Sequence, residues 1–493
     1  MKRRQFLSYL SGAAAISALP FNAMAEEPAH TMHMNAVPAK EVGPLAPVSA
    51  LPTGKQLIPV HPLKNESTIA GVFKGTLTAA PIDVSLIDAG KTTFWSYNGQ
   101  VPGPLIEVMA GDTVEILFKN HLTQATTVHW HGLPVPPDQD GNPDDLVLPG
   151  ENRLYKFTLP KDSAGTYWYH PHPHGTTPEQ VYRGLAGVFI VKDPTDPIRS
   201  IPERHLVVSD LKLLADGKIA PNDANDEMNG REGQFVLING LHQPLIQMQA
   251  KTERWRIWNA TSARYLNLSW GNASVTQVGT DGGLLEHPIV GLTGLLVSPA
   301  ERVELLVSAE NNVELAAEIY QRGKMGTVAP EKRLTLAQIE GVAEGAAVII
   351  PQKLRSIPVP APVKAKKKVV FSELMSMENG QHSMQFLING KQFDMNNIDL
   401  ISRLGEVEEW EIVNQADMDH PFHLHGVQFI VMSKTYKGQT QASPFVARRD
   451  IVNLRSGESA VIRVVQAFRG RRMFHCHILE HENLGMMGTL LVV

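Results

Sequence analysis

RRMFHCHILEHENLGMM, Arg471 to Met487, lies close to the C-terminus and holds Cys476, the one cysteine among 493 residues. Histidines flank it at 475 and 477, and a third follows at 481. In an extended chain successive side chains point to opposite faces. His475 and His477 therefore face one way and Cys476 the other. One thiol cannot close an internal disulfide, so in an exported chain it is a free thiol, an intermolecular bridge or a metal ligand. The imidazoles on either side favour the metal.

Three further clusters repeat the pattern: HWHG at 129–132, YHPHPHG at 169–175 and HPFHLHG at 420–426. His423 and His425 share a face, and His420 has the opposite parity, so it points where Cys476 points. His481 and Met486 follow the cysteine on a loop that folds back towards it. Cys476, His420, His481 and a distant Met486 make two imidazoles, a thiolate and a weak thioether, the donor set of a blue-copper electron-transfer site. The pairs 129/131, 170/172, 423/425 and 475/477 supply eight more imidazoles, which suit a cluster of several copper ions at a domain interface. His174 is left over and is read as a residue behind the ligands or at the surface.

A long repeat organises the rest. FWSYNGQVPGP, FVLINGLHQP and FLINGKQFD each place an Asn-Gly turn after an apolar run, at Asn98, Asn239 and Asn389. A strand ending in Asn follows each: TVEILFKN, RWRIWNA and EEWEIVNQ. Three related domains are the natural reading. Short alternating segments such as Thr113–Lys119, Arg302–Val307 and Ala460–Val465, separated by turn residues, are all-β sandwich patterning. The expected divisions are a loose N-terminal arm at 26–60 with little periodicity, domains at 61–196, 197–350 and 369–493, and an extended Pro- and Lys-rich linker at 351–368. In the first repeat Pro171 stands where Cys476 stands, and Thr126 where His420 stands. The matching strand of the second repeat, YLNLSW, carries no imidazole, so the second domain reads as a spacer.

Residues 1–25 have a basic head, a modest apolar run and a small-residue cleavage site at Ala23-Met24-Ala25, a secretory signal. Arg3-Arg4 followed by Gln-Phe-Leu resembles the twin-arginine export signal. The expected location is the periplasm. No later run of apolar residues is long enough to span a bilayer, and stable membrane insertion is not expected. A net charge of −5 gives no nucleic-acid footprint.

Taken with the triple repeat, the four signatures resemble the three-domain multicopper oxidases, the family of laccases, ascorbate oxidase and bacterial periplasmic cuprous oxidases. The resemblance spans nearly the whole chain after the signal. It implies three consecutive cupredoxin-like Greek-key β-sandwich domains, four copper ions, and dioxygen as the electron acceptor. It also implies that His129 and His423 bind the type 2 copper, and that His131, His170, His172, His425, His475 and His477 bind the type 3 pair; strand parity does not make that division. Asp140, in PPDQDGNPDD, and Glu482 match family positions that deliver protons. A non-catalytic relative associated with cell division, which has lost copper, is disfavoured because every ligand position is filled here.

The donor is less sharply marked. Axial Met486 leans towards readily oxidised donors: Cu(I), Fe(II) or electron-rich phenols. Soft thioethers select Cu(I), and Met375, Met377, Met384, Met395 and Met418 lie in the third domain. Met418 and Asp417 precede His420 closely, and with Met395 of FDMN they are candidates for holding substrate Cu(I). HTMHMN at 30–35 is a further copper-collecting candidate. The favoured expectation is Cu(I) oxidation in copper tolerance by a monomer. The alternative is laccase-like oxidation of phenols or aromatic amines.

Overall fold

The computed structural model describes residues 43–345, 348–378 and 381–493. The signal at 1–25, the HTMHMN stretch and the side chain of Met377 lie outside the described residues.

Three two-sheet sandwiches follow one another, built on the same plan. In each, a long strand forms a hairpin with its successor and runs parallel to a later strand. Val72–Ile87 pairs with Gly90–Tyr97 and lies parallel to Thr113–Asn120. Glu203–Leu211 pairs with Phe235–Ile238 and lies parallel to Thr252–Asn259. Ala365–Glu378 pairs with Gln381–Ile388 and lies parallel to Val407–Asn414. Residues alternate between interior and surface along Thr113–Asn120 and Glu458–Val465, as a sheet with one wet face requires.

The repeated asparagines explain the periodicity. Asn98, Asn239 and Asn389 all take a positive φ, near 50°, which Asn tolerates better than most residues. Their Oδ1 atoms accept from the amides of Thr78, Val207 and Val370, pinning each turn to the first strand of its domain. The strand-ending residues act alike. Asn120, Asn259 and Asn414 accept from the amide two residues on and donate to one carbonyl of the loop beyond and to one of a more distant segment, at Val147, Val297 and Leu454.

Two expectations need correction. The described part of the arm, 43–60, is not loose: Leu45 and Gln56 bridge to Leu214 and Leu245, and Ala46, Leu51, Leu57 and Val60 are buried. Irregular chain is held here by apolar burial rather than by periodic pairing. The stretch 351–368 is tied at both ends. The Leu354 amide donates to the Glu286 carbonyl, and a strand already begins at Ala365. The lysine run that suggested a linker pairs across that strand, Lys366, Lys367 and Lys368 with Glu409, Glu408 and Glu411. Among the described residues no helix is long and apolar enough to cross a membrane. Three short helices matter below: α1 (Thr177–Tyr182), α2 (Ala224–Asn229) and α3 (Leu479–Asn483).

Candidate metal centre

Strand Gly470–Cys476 pairs with His420–Leu424, setting His423 opposite His475. In the first domain His129 bridges to His170 in the same way. These two half-sites face each other across the boundary between the first and third domains, and all eight imidazoles of the four pairs are buried there. Nε2 of His129 lies 3.4 Å from Nε2 of His423. Nε2 of His475 lies 3.2 Å from that of His172 and 3.0 Å from that of His425. His477 packs 4.9 Å from His131 and 5.5 Å from His170, ring centre to ring centre.

The remote ring nitrogens decide which atom is free. A carbonyl only accepts, so Nδ1 of His423, His170 and His475 donates to the carbonyls of Asp450, Pro171 and Cys476 at 2.8, 2.8 and 2.9 Å. Nδ1 of His129 and His425 lies 3.1 and 3.2 Å from the two carboxylate oxygens of Asp140. In each case the lone pair is left on Nε2, aimed into the cluster. Burial, reinforced by neighbouring imidazoles, holds His131, His170, His172, His423, His425 and His477 well below the ordinary histidine range, and His475 falls to about 3. Neutral imidazoles with lone pairs converging at such distances repel unless a cation lies among them. Nε2 of His131, His170 and His477 is moreover buried without a hydrogen-bond partner. The donor set fits copper, which favours imidazole nitrogen.

The second group forms on the opposite face of the same strand. Sγ of Cys476 lies 3.2 Å from Nδ1 of His420, and Nδ1 of His481 lies 3.4 Å from Nδ1 of His420. Nε2 of His481 donates to the Met228 carbonyl at 3.1 Å, which leaves Nδ1 free. Burial pushes the Cys476 thiol up and drops His420 to about 3. Two neutral imidazoles and a buried sulfur therefore await a soft cation, which would stabilise the thiolate. Met486 is buried and held beside the cysteine: the Cys476 amide donates to its carbonyl, and its own amide donates to the His481 carbonyl. Phe386 stacks on His481 at 3.9 Å. In the first domain Thr126, at the offset His420 has from His423, donates instead to Gln180 of α1 at 2.6 Å.

Both acidic candidates touch the cluster. Asp140 joins His129 to His425, and Glu482 lies 3.2 Å from His475 and 3.5 Å from His172. Burial raises both carboxyls, that of Glu482 strongly and with help from Glu480. The substrate-copper candidates stand in three settings. Met418 is fully buried, with the Arg322 guanidinium 3.7 Å from its sulfur. Asp417 is exposed, and its amide donates to Glu373. Met395 is half-buried, its carbonyl accepting from Arg471. His174 is exposed, 5.1 Å from the Phe393 ring.

Sequence reasoning missed the polar support. Asp450 places Oδ1 3.3 Å from Nδ1 of His131, and Arg302 of the second domain grips both Asp450 oxygens. Glu480 is buried with both oxygens unpartnered. The second domain is thus more than a spacer: Arg302 braces one group, Met228 touches the other, and Arg322 reaches Met418 two residues before His420. A lone charged residue paired over a long range carries no spacing signal, so nothing in the sequence marked these.

Multicopper oxidase family models match residues 79–196 and 366–493. A multicopper oxidase of Staphylococcus haemolyticus is 34% identical over 422 residues, 82% of this chain and 86% of that one. A solved multicopper oxidase from Campylobacter jejuni, described as a metallo-oxidase, is 46% identical with a TM-score of 0.88, covering 92% of this chain and 98% of that one. A laccase from Pediococcus acidilactici is 29% identical with a TM-score of 0.79, covering 92% and 96%.

Proposed function

The chain belongs to the multicopper oxidase family, and from that premise we propose that it oxidises Cu(I) in the periplasm as part of copper tolerance. Four copper ions would be held: one by His420, Cys476, His481 and Met486, one by His129 and His423, and two by His131, His170 and His477 and by His172, His425 and His475. Bound copper supplies one-electron oxidation of the donor at the first site and four-electron reduction of dioxygen to water at the other three ions.

This chain's own residues do the rest. Cys476 is covalently continuous with His475 and His477, so one strand carries ligands of both sites. The carbonyls behind the imidazoles fix ring orientation and keep Nε2 deprotonated. Asp140 and Glu482, each against two cluster imidazoles, hold protons at carboxyl oxygens within reach of the oxygen site. Domain packing excludes bulk water from the cluster.

The observation that carries the choice of donor is the cover over His481. It is made by α2, whose Met228 carbonyl accepts from the ring, and Asn229 of α2 bonds both the amide and the carbonyl of Met325. The half-buried Met325 side chain packs on the apolar cluster that contains Cys476 and Met486, and Met228 adds a second half-buried thioether from the helix over His481, chemistry that selects Cu(I). The similar metallo-oxidase points the same way; the similar laccase favours phenols. Oxygen uptake with Cu(I) and with 2,6-dimethoxyphenol separates the two. Replacing Met228 and Met325 together by Leu should remove most Cu(I) turnover and leave phenol turnover intact. Equal losses with both donors, or none with either, would reject Cu(I) as the donor these methionines receive.

A further inference from the structure

A cavity of about 280 Å³ lies between the first and second domains, and none of the copper-group side chains lines it. Its walls are largely apolar, with Val84, Leu86, Phe94, Val101, Leu211 and Leu237 among them. Four buried polar side chains also line it: Thr261, whose hydroxyl already bonds Asn259, and Tyr182 of α1, Asp210 and Ser262, which are 6%, 6% and 1% exposed. Tyr182 Oη, Asp210 Oδ1 and Ser262 Oγ have no hydrogen-bond partner in the protein. Buried polar atoms are nearly always paired, so three orphans on one cavity need explaining.

Each of the three is held in place. Asp210 Oδ2 accepts from the Gly233 amide at 2.9 Å and from Arg264 Nε at 3.0 Å, which fixes the carboxylate and balances its charge. The Arg231 guanidinium lies 3.5 Å over the Tyr182 ring. The Ser262 carbonyl accepts from the amide of Leu479, the first residue of α3. Oδ1 of Asp210 requires a donor, and the two hydroxyls require an acceptor. Apolar walls with a few convergent polar groups are the make-up of a small-molecule site.

We propose that this cavity binds a small phenol, its ring against the apolar walls, its hydroxyl donating to Asp210 Oδ1 and accepting from Tyr182 Oη or Ser262 Oγ. A hydroxyl supplies both the donor and the acceptor this set lacks. An anion would face the Asp210 carboxylate, and a cation would meet a charge already balanced by Arg264. Water would satisfy the polar atoms but gain nothing from the apolar walls. The inference does not rest on Cu(I) being the donor.

The test is calorimetric titration of the copper-loaded, fully reduced protein without oxygen, which prevents turnover. The probes are 4-ethylphenol and ethylbenzene, which lacks the hydroxyl. Binding of 4-ethylphenol should be about tenfold tighter, and at least one of Tyr182→Phe and Ser262→Ala should weaken it several-fold while ethylbenzene is unaffected. Tyr182→Phe removes a hydroxyl without a protein partner, so its thermal unfolding should match wild type or improve. Equal affinity for the two probes would overturn the proposal, as would 4-ethylphenol binding unchanged in both variants, which places it elsewhere. So would a soaked crystal holding only ordered water there, or a marked loss of stability in Tyr182→Phe.

Discussion

Cys476 sits in a strand whose alternation turns its sulfur to one side and the rings of His475 and His477 to the other. That division follows from the order of side chains alone and was legible in the sequence. The choice of ring nitrogen was not, because it depends on carbonyls such as Asp450 and Met228 that are remote in the chain. Asp140 and Glu482 each meet two imidazoles, and Asn or Gln in their places keeps the shape but gives up the exchangeable carboxyl proton. Asp140→Asn and Glu482→Gln should each lower steady-state oxygen consumption about a hundredfold with bound copper unchanged by metal analysis. Wild-type rates in both would remove them from proton delivery.

The strands were the most legible elements. Thr113–Asn120, Arg302–Ser308 and Glu458–Val465 begin and end within two residues of their sequence-based limits. The Asn repeat pointed to real hydrogen-bonded corners. Asn414 is buried and bonds the Ala416 amide and the carbonyls of Met418 and Leu454, shaping the loop that delivers His420. Asn414→Ala strands those backbone groups and should cost about 2 kcal/mol in denaturant unfolding. A change near zero would mean the corner holds itself. The limits of Arg302–Ser308 were legible but its role was not, because it is buried on both faces and alternation gives no clue to function there. Arg302 pairs with Asp450 and Asp281 without solvent. Arg302→Met should cost about 3–5 kcal/mol, since it leaves buried carboxylates uncompensated, and Asp450→Asn in the same chain should recover part of the loss. Equal stability of single and double variants would contradict that pairing.

At the scale of the whole molecule, three sandwiches share one plan, and the first and third hold facing histidines that neither could use alone. The second contributes no imidazole to either group yet touches both, through Arg302 and Met228. Its part was illegible because long-range charge pairing leaves no pattern in a single sequence. Because the imidazoles converge with their lone pairs inward, bound metal should add stability by mass action. Copper removal by a chelator should lower the unfolding temperature, and copper added back should restore it. An apo-protein as stable as the loaded one would show that the cluster is relaxed without metal. The central claim, that the lone thiol and the paired imidazoles bind copper and act together, is tested most directly by reconstituting wild type and Cys476→Ser with copper and comparing visible spectra and oxygen uptake. Wild type should show an intense sulfur-to-copper band and reduce oxygen, and the serine variant should lose both. A colourless, fully metallated wild type, or a serine variant reducing oxygen at the wild-type rate, would contradict it.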